Sequence, residues 1–456
     1  MISERNGPAP GQRTLAGPGA SGAPGTSGAS GASGAPRGRR RNLVVHKYGG
    51  SSLATPEQMR HAAARISAAR VRGSRVVVVV SAQGDATDEL LARARGFAPH
   101  GDLREADQLL ATGEVASAAL MAMALHERGT RALSLTGGQA GVRALGRHGA
   151  GLVDRVAPGR ILGLLEAGVV PVIAGFQGVN SSGDTVTLGR GGSDTTAVAL
   201  AAGLGAERCE IYTDVDGVYS ADPRVVAAPR LLPSVPVDVM AEMAFTGARV
   251  LHSRAVELAA THEVETLVLS SSTEGPGTVI TGTYETALET APAITAVTHD
   301  ADVARVLVHC AGTARDMAAE FLTVLAEYAL PVDLVARSGP HEEEFRMGFA
   351  TRRSELREAR PALERLAGTL GGRIRVDSEV GKVTVLGTGL LNRPECTARM
   401  LRALSEAGIP TMWILTSQIR ASALVPSDRL TEAVRVLHTA FGLDAREGRT
   451  AREVPL

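Results

Sequence analysis

The sequence predicts an α/β protein: a mostly parallel sheet sandwiched by helices, followed by two smaller modules of βαββαβ pattern. Three observations carry this expectation. From Leu43 to Thr213, strand-like and helix-like segments alternate, which builds a parallel sheet covered on both faces. Val76 to Val80 is an unbroken run of valines, as in a central strand buried on both sides. Beyond Ser270 the composition shifts, and two short strand–helix–strand units follow as an approximate ferredoxin-like repeat.

Each element has a local reason. Residues 1–41 are Gly, Ala, Ser and Pro almost throughout and end in a basic run. They cannot bury enough apolar surface to offset the entropy of ordering, so a disordered tail is expected. Order begins at Asn42, with a strand Leu43–Tyr48 and the turn Gly49-Gly50-Ser51-Ser52. Thr55 can cap the next helix, Pro56 suits its first turn, and Gln58 completes a capping box. After the valine strand come helices Asp88–Arg95 and Glu105–Glu127, strand Arg131–Thr136, helix Pro158–Ala167 and strand Val169–Phe176. Helix Asp194–Leu204 and strand Cys209–Thr213 follow. The first domain is thus placed at 42–270 and a Ser/Thr/Gly/Pro-rich linker at 271–293. The modules occupy 294–380 and 381–445, with a flexible C-terminus at 446–456. The first module holds strand Arg305–Cys310, helix Asp316–Tyr328 and strand Pro331–Val335. The second holds strand Lys382–Gly387, helix Glu395–Ala407, strands Ile409–Thr416 and Ile419–Leu424, and helix Asp428–Phe441.

Composition excludes several function classes. The formal net charge is zero, with 48 basic and 48 acidic residues, which argues against bulk capture by nucleic acid or an anionic membrane. No apolar run reaches the roughly 18 residues needed to span a bilayer. Three cysteines, at 209, 310 and 396, make neither a disulfide framework nor a zinc cluster, so a reducing, cytoplasmic setting is expected. Of the 48 basic residues only Lys47 and Lys382 are lysines. A lysine in such a chain marks a place where a compact ammonium serves and a guanidinium does not. Neither follows a glycine-rich loop as a P-loop lysine does. Lys382 opens a strand of the second module, and its sequence neighbours give no reason for an ammonium there.

Four constellations carry chemistry. In Lys47-Tyr48-Gly49-Gly50-Ser51-Ser52, glycines at a strand end let successive amides cradle a phosphate, with Lys47 as a point charge; a plain turn is the alternative. Thr187-Leu188-Gly189-Arg190-Gly191-Gly192-Ser193-Asp194 runs into an alanine-rich helix. Its free amides suit an anion and Arg190 a carboxylate, while Asp194 also reads as an ordinary N-cap. Thr213-Asp214-Val215-Asp216-Gly217-Val218-Tyr219, with Asp222-Pro223-Arg224, follows a strand end where open parallel sheets bind ligands; Asp and Pro also build turns. Ser81 to Thr87, with Glu114, offers hydroxyls and a carboxylate to a small zwitterion, or forms solvated loops.

Together these motifs resemble the aspartate kinases of the amino-acid kinase family. Further matching elements are Gly175-Phe176-Gln177-Gly178-Val179-Asn180 and Gly247-Ala248-Arg249-Val250-Leu251-His252. The likeness runs from about Asn42 to Leu443, and the tandem modules look like paired ACT domains. The resemblance implies phosphoryl transfer from ATP, with Mg2+, to the β-carboxylate of L-aspartate, the first step of lysine, threonine and methionine biosynthesis. By motif, Lys47 and Asp214 are the implied catalytic residues. Ser81, Thr87, Glu114, Arg190 and Asp194 are implied to hold the substrate. Lys47, Tyr48, Gly49, Gly50, Thr213, Asp214, Tyr219, Asp222, Arg224 and Arg249 are implied to hold the nucleotide. No protein-held metal site, no nucleic acid and no membrane are expected. A homo-oligomer, a dimer joined through the ACT modules, is expected, with a possible amino-acid effector bound there.

This chain departs from the family pattern at three places. Arg249 stands where relatives often carry lysine, and Val115 follows Glu114 where they often carry arginine. The effector loops read Thr313-Ala314-Arg315 and Pro394-Glu395 instead of ending in Pro-Gly, which predicts weak or altered inhibition by lysine and threonine. Two alternatives stay open at the level of sequence: a sister enzyme acting on another carboxylate in a specialised pathway, and a non-catalytic regulatory subunit.

Overall fold

The alternating segments assemble into one eight-stranded sheet. Its order is Ser234–Pro236, Thr278–Thr281, Thr266–Ser270, Ala206–Thr213, Arg40–Tyr48, Arg75–Val80, Val170–Ala174 and Ala132–Leu135. Every neighbouring pair is parallel except Thr266–Ser270 with Thr278–Thr281. The computed structural model describes residues 40–98, 101–248, 250–282, 294–311, 317–328, 330–337 and 344–444. The described residues form one compact unit.

Period-two alternation in the central strands feeds two cores. Val77 and Val79 join Leu43 and Val45 under the helix Gly192–Leu204. Val76, Val78 and Val80 join Tyr48 on the other face, under helices Pro56–Val71 and Leu103–Glu127. The capping box forms as expected: Gln58 N donates to Thr55 Oγ1, and Thr55 N to Gln58 Oε1. Cys209 is fully buried in the first core. The helix Leu103–Glu127 is long and apolar enough to cross a bilayer by length and composition, contrary to the expectation from apolar runs. Here it packs Ala111, Ala118, Met121 and Leu125 inward and carries two buried carboxylates, Asp107 and Glu114.

Several boundaries differ from the sequence reading. The first strand begins at Arg40, inside the expected tail, because Arg40 pairs with Ala206 and its N–H donates to Gly205 O. A small sheet of Leu152–Val156, Val142–Leu145, Gln177–Val179 and Thr185–Thr187 was not expected, because its strands are three to five residues long. The expected linker contains the strand Thr278–Thr281, and 283–293 lie outside the described residues. The division of the modules at 380/381 is also corrected. Ile294–Asp300 pairs with Val380–Gly387, next to Arg420–Pro426 and Ile414–Thr416. The sheet Val332–Arg337, Glu344–Arg352, Val303–Ala311 and Gly372–Asp377 is therefore an insertion within the second module. The reason is packing: Ile294 and Val297 bury with Val383 and Val385, although sequence places them beside Val303.

Lys382 has a structural reason that its sequence neighbours do not supply. Its ammonium is buried and lies 2.9 Å from Asp333 Oδ2. Arg420 pairs with Asp333 Oδ1 at 2.8 Å and with Glu242 Oε2 at 3.2 Å. Both cations lie over the Phe245 ring, at 5.0 and 5.5 Å from its centroid. Asp333 belongs to the inserted sheet, Lys382 and Arg420 to the outer one, and Glu242 and Phe245 to the helix Val237–Phe245 of the first domain. One charge cluster thus ties three parts of the chain together.

Other contacts cross the same divide. Thr246 and Thr298 share a hydroxyl hydrogen bond of 2.7 Å. Gly247, at φ +122, lies so close to His299 O that an added Cβ would stand 1.8 Å from it. Arg147 donates to Glu327 O and Tyr328 O at the end of the helix Met317–Glu327. Ser220, His438 and Asp444 form a chain of 3.0 and 3.2 Å contacts that looks like a hydrolytic triad. Ser220 and His438 are fully buried, so the chain clamps the segment after Tyr219 to the second module.

Candidate active site

Lys47 is the penultimate residue of the strand Arg40–Tyr48. Its ammonium lies 2.6 Å from Asp194 Oδ1, with both side chains 12% exposed. Asp194 sits in the first turn of the helix Gly192–Leu204 but makes no cap hydrogen bond; the N-cap is Gly191, at φ +68. The N-cap reading of Asp194 is thereby replaced by an ion pair. Its second oxygen accepts from His252 N at 3.3 Å. A Cβ on Gly191 would lie 2.1 Å from His252 Cγ, so both space and backbone require glycine.

Around this pair opens a cleft of about 740 Å³. Lys47, Gly49, Arg190, Asp194, Thr213, Asp214, Asp222 and Arg224 all line it. Motifs far apart in sequence therefore meet along the C-terminal ends of parallel strands. An adjoining cavity of about 460 Å³ shares Asp214, Asp222, Arg224 and Val250 and adds Val215, Val218, Tyr219, Met243 and Val297. Its apolar wall suits a flat ring, and the cleft suits charged groups. Arg224 grips Asp222 at 3.0 and 2.8 Å, and these hydrogen bonds hold the Asp222 carboxyl below its ordinary range. Tyr219 donates to Asp216, and Thr213 to Asp214.

Five predicted residues line neither the cleft nor the adjoining cavity. Tyr48 faces the opposite layer, fully buried and stacked on Tyr212 with centroids 4.7 Å apart, so its side chain cannot reach a nucleotide there. Gly50 gives room to the neighbouring loop, since a Cβ would stand 2.5 Å from Ala82 O. Ser81 N donates to Tyr48 O, and Thr87 lies in the helix Ala86–Phe97. Glu114 accepts from Ala82 N at 3.2 Å, and its other oxygen is buried with no hydrogen-bond partner among the described residues. Burial pushes the Glu114 carboxyl up to about 7. Arg249 and the loop Thr313-Ala314-Arg315 lie outside the described residues. Pro394 and Glu395 open the helix Pro394–Glu406.

A second buried carboxylate stands behind Lys47. Glu210 accepts from Tyr212 Oη at 2.7 Å and Arg208 Nε at 2.7 Å, and lies 3.0 Å from His46 Nε2. Burial raises its carboxyl, but these partners outweigh burial and bring it down to about 2.

Residues 42–270 match the amino acid kinase family, and residues 383–441 match an ACT domain. The aspartokinase of Mycobacterium bovis is 43% identical over 412 residues, covering 90% of this chain and 98% of that protein. This chain belongs to the aspartokinases. The Thermus thermophilus aspartokinase is 41% identical over 404 residues, covering 88% of this chain and 99% of that protein. Among solved structures, E. coli aspartokinase III in complex with aspartate and ADP has a TM-score of 0.72 at 24% identity, covering 87% of this chain and 99% of that one. That likeness establishes the fold. The Clostridium acetobutylicum aspartate kinase agrees, with a TM-score of 0.65 at 20% identity over 88% of this chain and all of that one.

Within the aspartokinase frame, the structure adds residues that sequence reasoning passed over. His252 lines the cleft, as do His299, Asp300, Asp302 and Arg352. His252 closes the motif Gly247 to His252, of which the resemblance places only Arg249 in the site. The other four come from the modules, more than 45 residues beyond that motif in sequence, and no local pattern points to them.

Proposed function

We infer that this chain is an aspartate kinase, transferring the γ-phosphoryl group of ATP to the β-carboxylate of L-aspartate. A carboxylate oxygen attacks the γ-phosphorus, the bond from that phosphorus to the β,γ-bridging oxygen breaks, and ADP leaves with 4-phospho-L-aspartate as product. The carboxylate is already ionised, so no general base is needed. The protein's task is positioning and charge stabilisation. The observation that carries this reading is the Lys47–Asp194 pair, set where the Arg190 loop and the nucleotide-sized cavity meet.

Roles follow from place. Lys47 faces the transferring phosphoryl group, where a point charge offsets developing negative charge. Asp194 orients Lys47 and faces the substrate ammonium. Arg190 takes the α-carboxylate. Gly49 leaves space beside Lys47, its added Cβ lying 3.6 Å from the ammonium. Thr213, Asp214, Tyr219, Asp222 and Arg224 border the nucleotide. A divalent ion fits the donor set in kind, since Mg2+ takes one or two carboxylates alongside phosphate oxygens, and Asp214 is the carboxylate suited to it. The ion would supply charge neutralisation between the β- and γ-phosphates. The ACT modules are read as an amino-acid effector site and as the joint of a homodimer.

Glu114 supplies a pH signature. Its carboxyl titrates near 7 because burial disfavours its charge, so it is largely protonated below that pH. By motif Glu114 is read as a partner of the substrate ammonium, reached through its unpartnered buried oxygen and not from the cleft lining, and a bound ammonium favours its charged form. Substrate binding therefore tightens as pH rises through about 7. The KM for aspartate is expected to fall several-fold between pH 6 and pH 8, and Glu114→Gln is expected to flatten that profile. Without ligand the sign for stability is opposite. The raised carboxyl costs stability as pH rises from its ordinary range through about 7.

The reading is tested by ADP release across a panel of amino acids with ATP and Mg2+. Aspartate is expected to give the highest kcat/KM, by at least about tenfold over glutamate, because one methylene misplaces the reacting carboxylate. A better turnover with another amino acid contradicts the substrate assignment.

A further inference from the structure

The function proposed above uses Arg190 but leaves open what aims it. Arg190 is exposed and flanked by Gly189 at φ +72 and Gly191 at φ +68. Two left-handed glycines make a loop with little stiffness of its own, so its direction is set by what holds its ends. The C-terminal end is fixed by Asp194 and His252 and by the helix Gly192–Leu204. At the N-terminal end Leu188 N donates to Phe176 O and Leu188 O accepts from Arg254, Thr187 O accepts from Gly151 N, and the two remaining polar groups of Thr187, its N–H and its hydroxyl, are both held by Asp107.

Asp107 lies on the helix Leu103–Glu127 and is 1% exposed. Its carboxylate accepts from Thr187 N at 3.0 Å and from the Thr187 hydroxyl. It also accepts from Gly149 N at 3.0 and 3.1 Å and contacts His148 Nδ1 at 2.8 Å. Gly149 matters to the same loop, because its carbonyl oxygen lies 3.2 Å from where a Cβ on Gly189 would sit. A buried carboxylate that satisfies several donors from two segments is strongly preferred over any neutral replacement. Seven residues further along the same helix, on the same face, stands Glu114.

We propose that Asp107 is the positioning residue for Arg190: it fixes Thr187 and the turn at His148-Gly149, so that the Arg190 guanidinium meets the substrate α-carboxylate at a set distance from Glu114. Asp107 does not touch the substrate and acts only through the loop. This rests on the reading of Arg190 as the carboxylate clamp.

The test is steady-state kinetics of the full chain, with the two KM values measured separately. Asp107→Asn places an amide N–H2 against backbone N–H donors while nearly keeping volume. It is expected to raise the KM for aspartate at least about tenfold, with the KM for ATP unchanged within about twofold. Thr187→Val removes only the hydroxyl bond and is expected to raise the aspartate KM about threefold, again with the ATP KM unchanged. It serves alone if Asp107→Asn does not fold. A purely structural role predicts a lower Tm with neither KM moved, or both moved together, and either result overturns the proposal. Arg190→Lys separates the two levels. If it leaves the aspartate KM unchanged, the clamp reading fails; if it raises that KM while Thr187→Val and Asp107→Asn do not, only the Asp107 proposal fails.

Discussion

Lys47→Arg is expected to lower kcat by about 10² to 10³-fold, the scale of losing one charge-stabilising donor aimed at a transition state. Charge is conserved in this substitution, so the loss isolates geometry. Lys47 stands at the end of a central strand between Asp194 and Gly49, in a space where an ammonium approaches its partner to 2.6 Å. A planar guanidinium is broader and must displace Asp194, and with it the helix turn that follows Arg190. Measured at saturating aspartate and ATP, kcat should fall while the ATP KM changes by less than about threefold. An arginine variant within threefold of the parent in kcat would show that position 47 supplies only net charge.

Asp333→Ala is expected to destabilise the chain by about 3 to 5 kcal/mol, the cost of breaking a buried ion pair from one side. Two cations, Lys382 and Arg420, would then share a buried site with Glu242 as the remaining anion. The Glu242 carboxyl already sits above its ordinary range because of burial, so it is a poor substitute partner. Thermal unfolding should show a Tm lower by several degrees. The paired change Asp333→Leu with Lys382→Met should recover most of that loss, since Arg420 keeps Glu242. If Asp333→Ala leaves Tm unchanged, the cluster is solvated and does not join the parts of the chain.

Lys382 marks where sequence reasoning stopped short. The rarity of lysine drew attention to both positions, yet only Lys47 has chemistry-bearing neighbours along the chain. The partners of Lys382 stand 49 residues before it at Asp333, and at Phe245 in another domain, so no window of sequence contains its reason. The main sheet was legible because its signals are local: a valine run, a capping box, an alanine-rich helix after a glycine pair. The strand Ile294–Asp300 was misassigned because its pairing with Val380–Gly387 spans an inserted module. Lys47, Arg190, Asp194 and Asp214, singled out by residue type and spacing, do meet in one cleft. The side chain of Tyr48 lies outside that cleft because strand alternation turns it to the other face from Lys47. His299, Asp300, Asp302 and Arg352 enter the cleft only through tertiary packing.

The most direct measurement is hydroxylamine trapping during turnover of the full chain with ATP, Mg2+ and L-aspartate. An acyl phosphate formed on the β-carboxylate is captured as aspartate β-hydroxamate, in step with ADP release. The predicted result is one hydroxamate per ADP, dependent on aspartate and reduced at least about 100-fold by Lys47→Arg. ADP release without hydroxamate, or hydroxamate undiminished in that variant, would contradict a site built around Lys47 for phosphorylating a carboxylate.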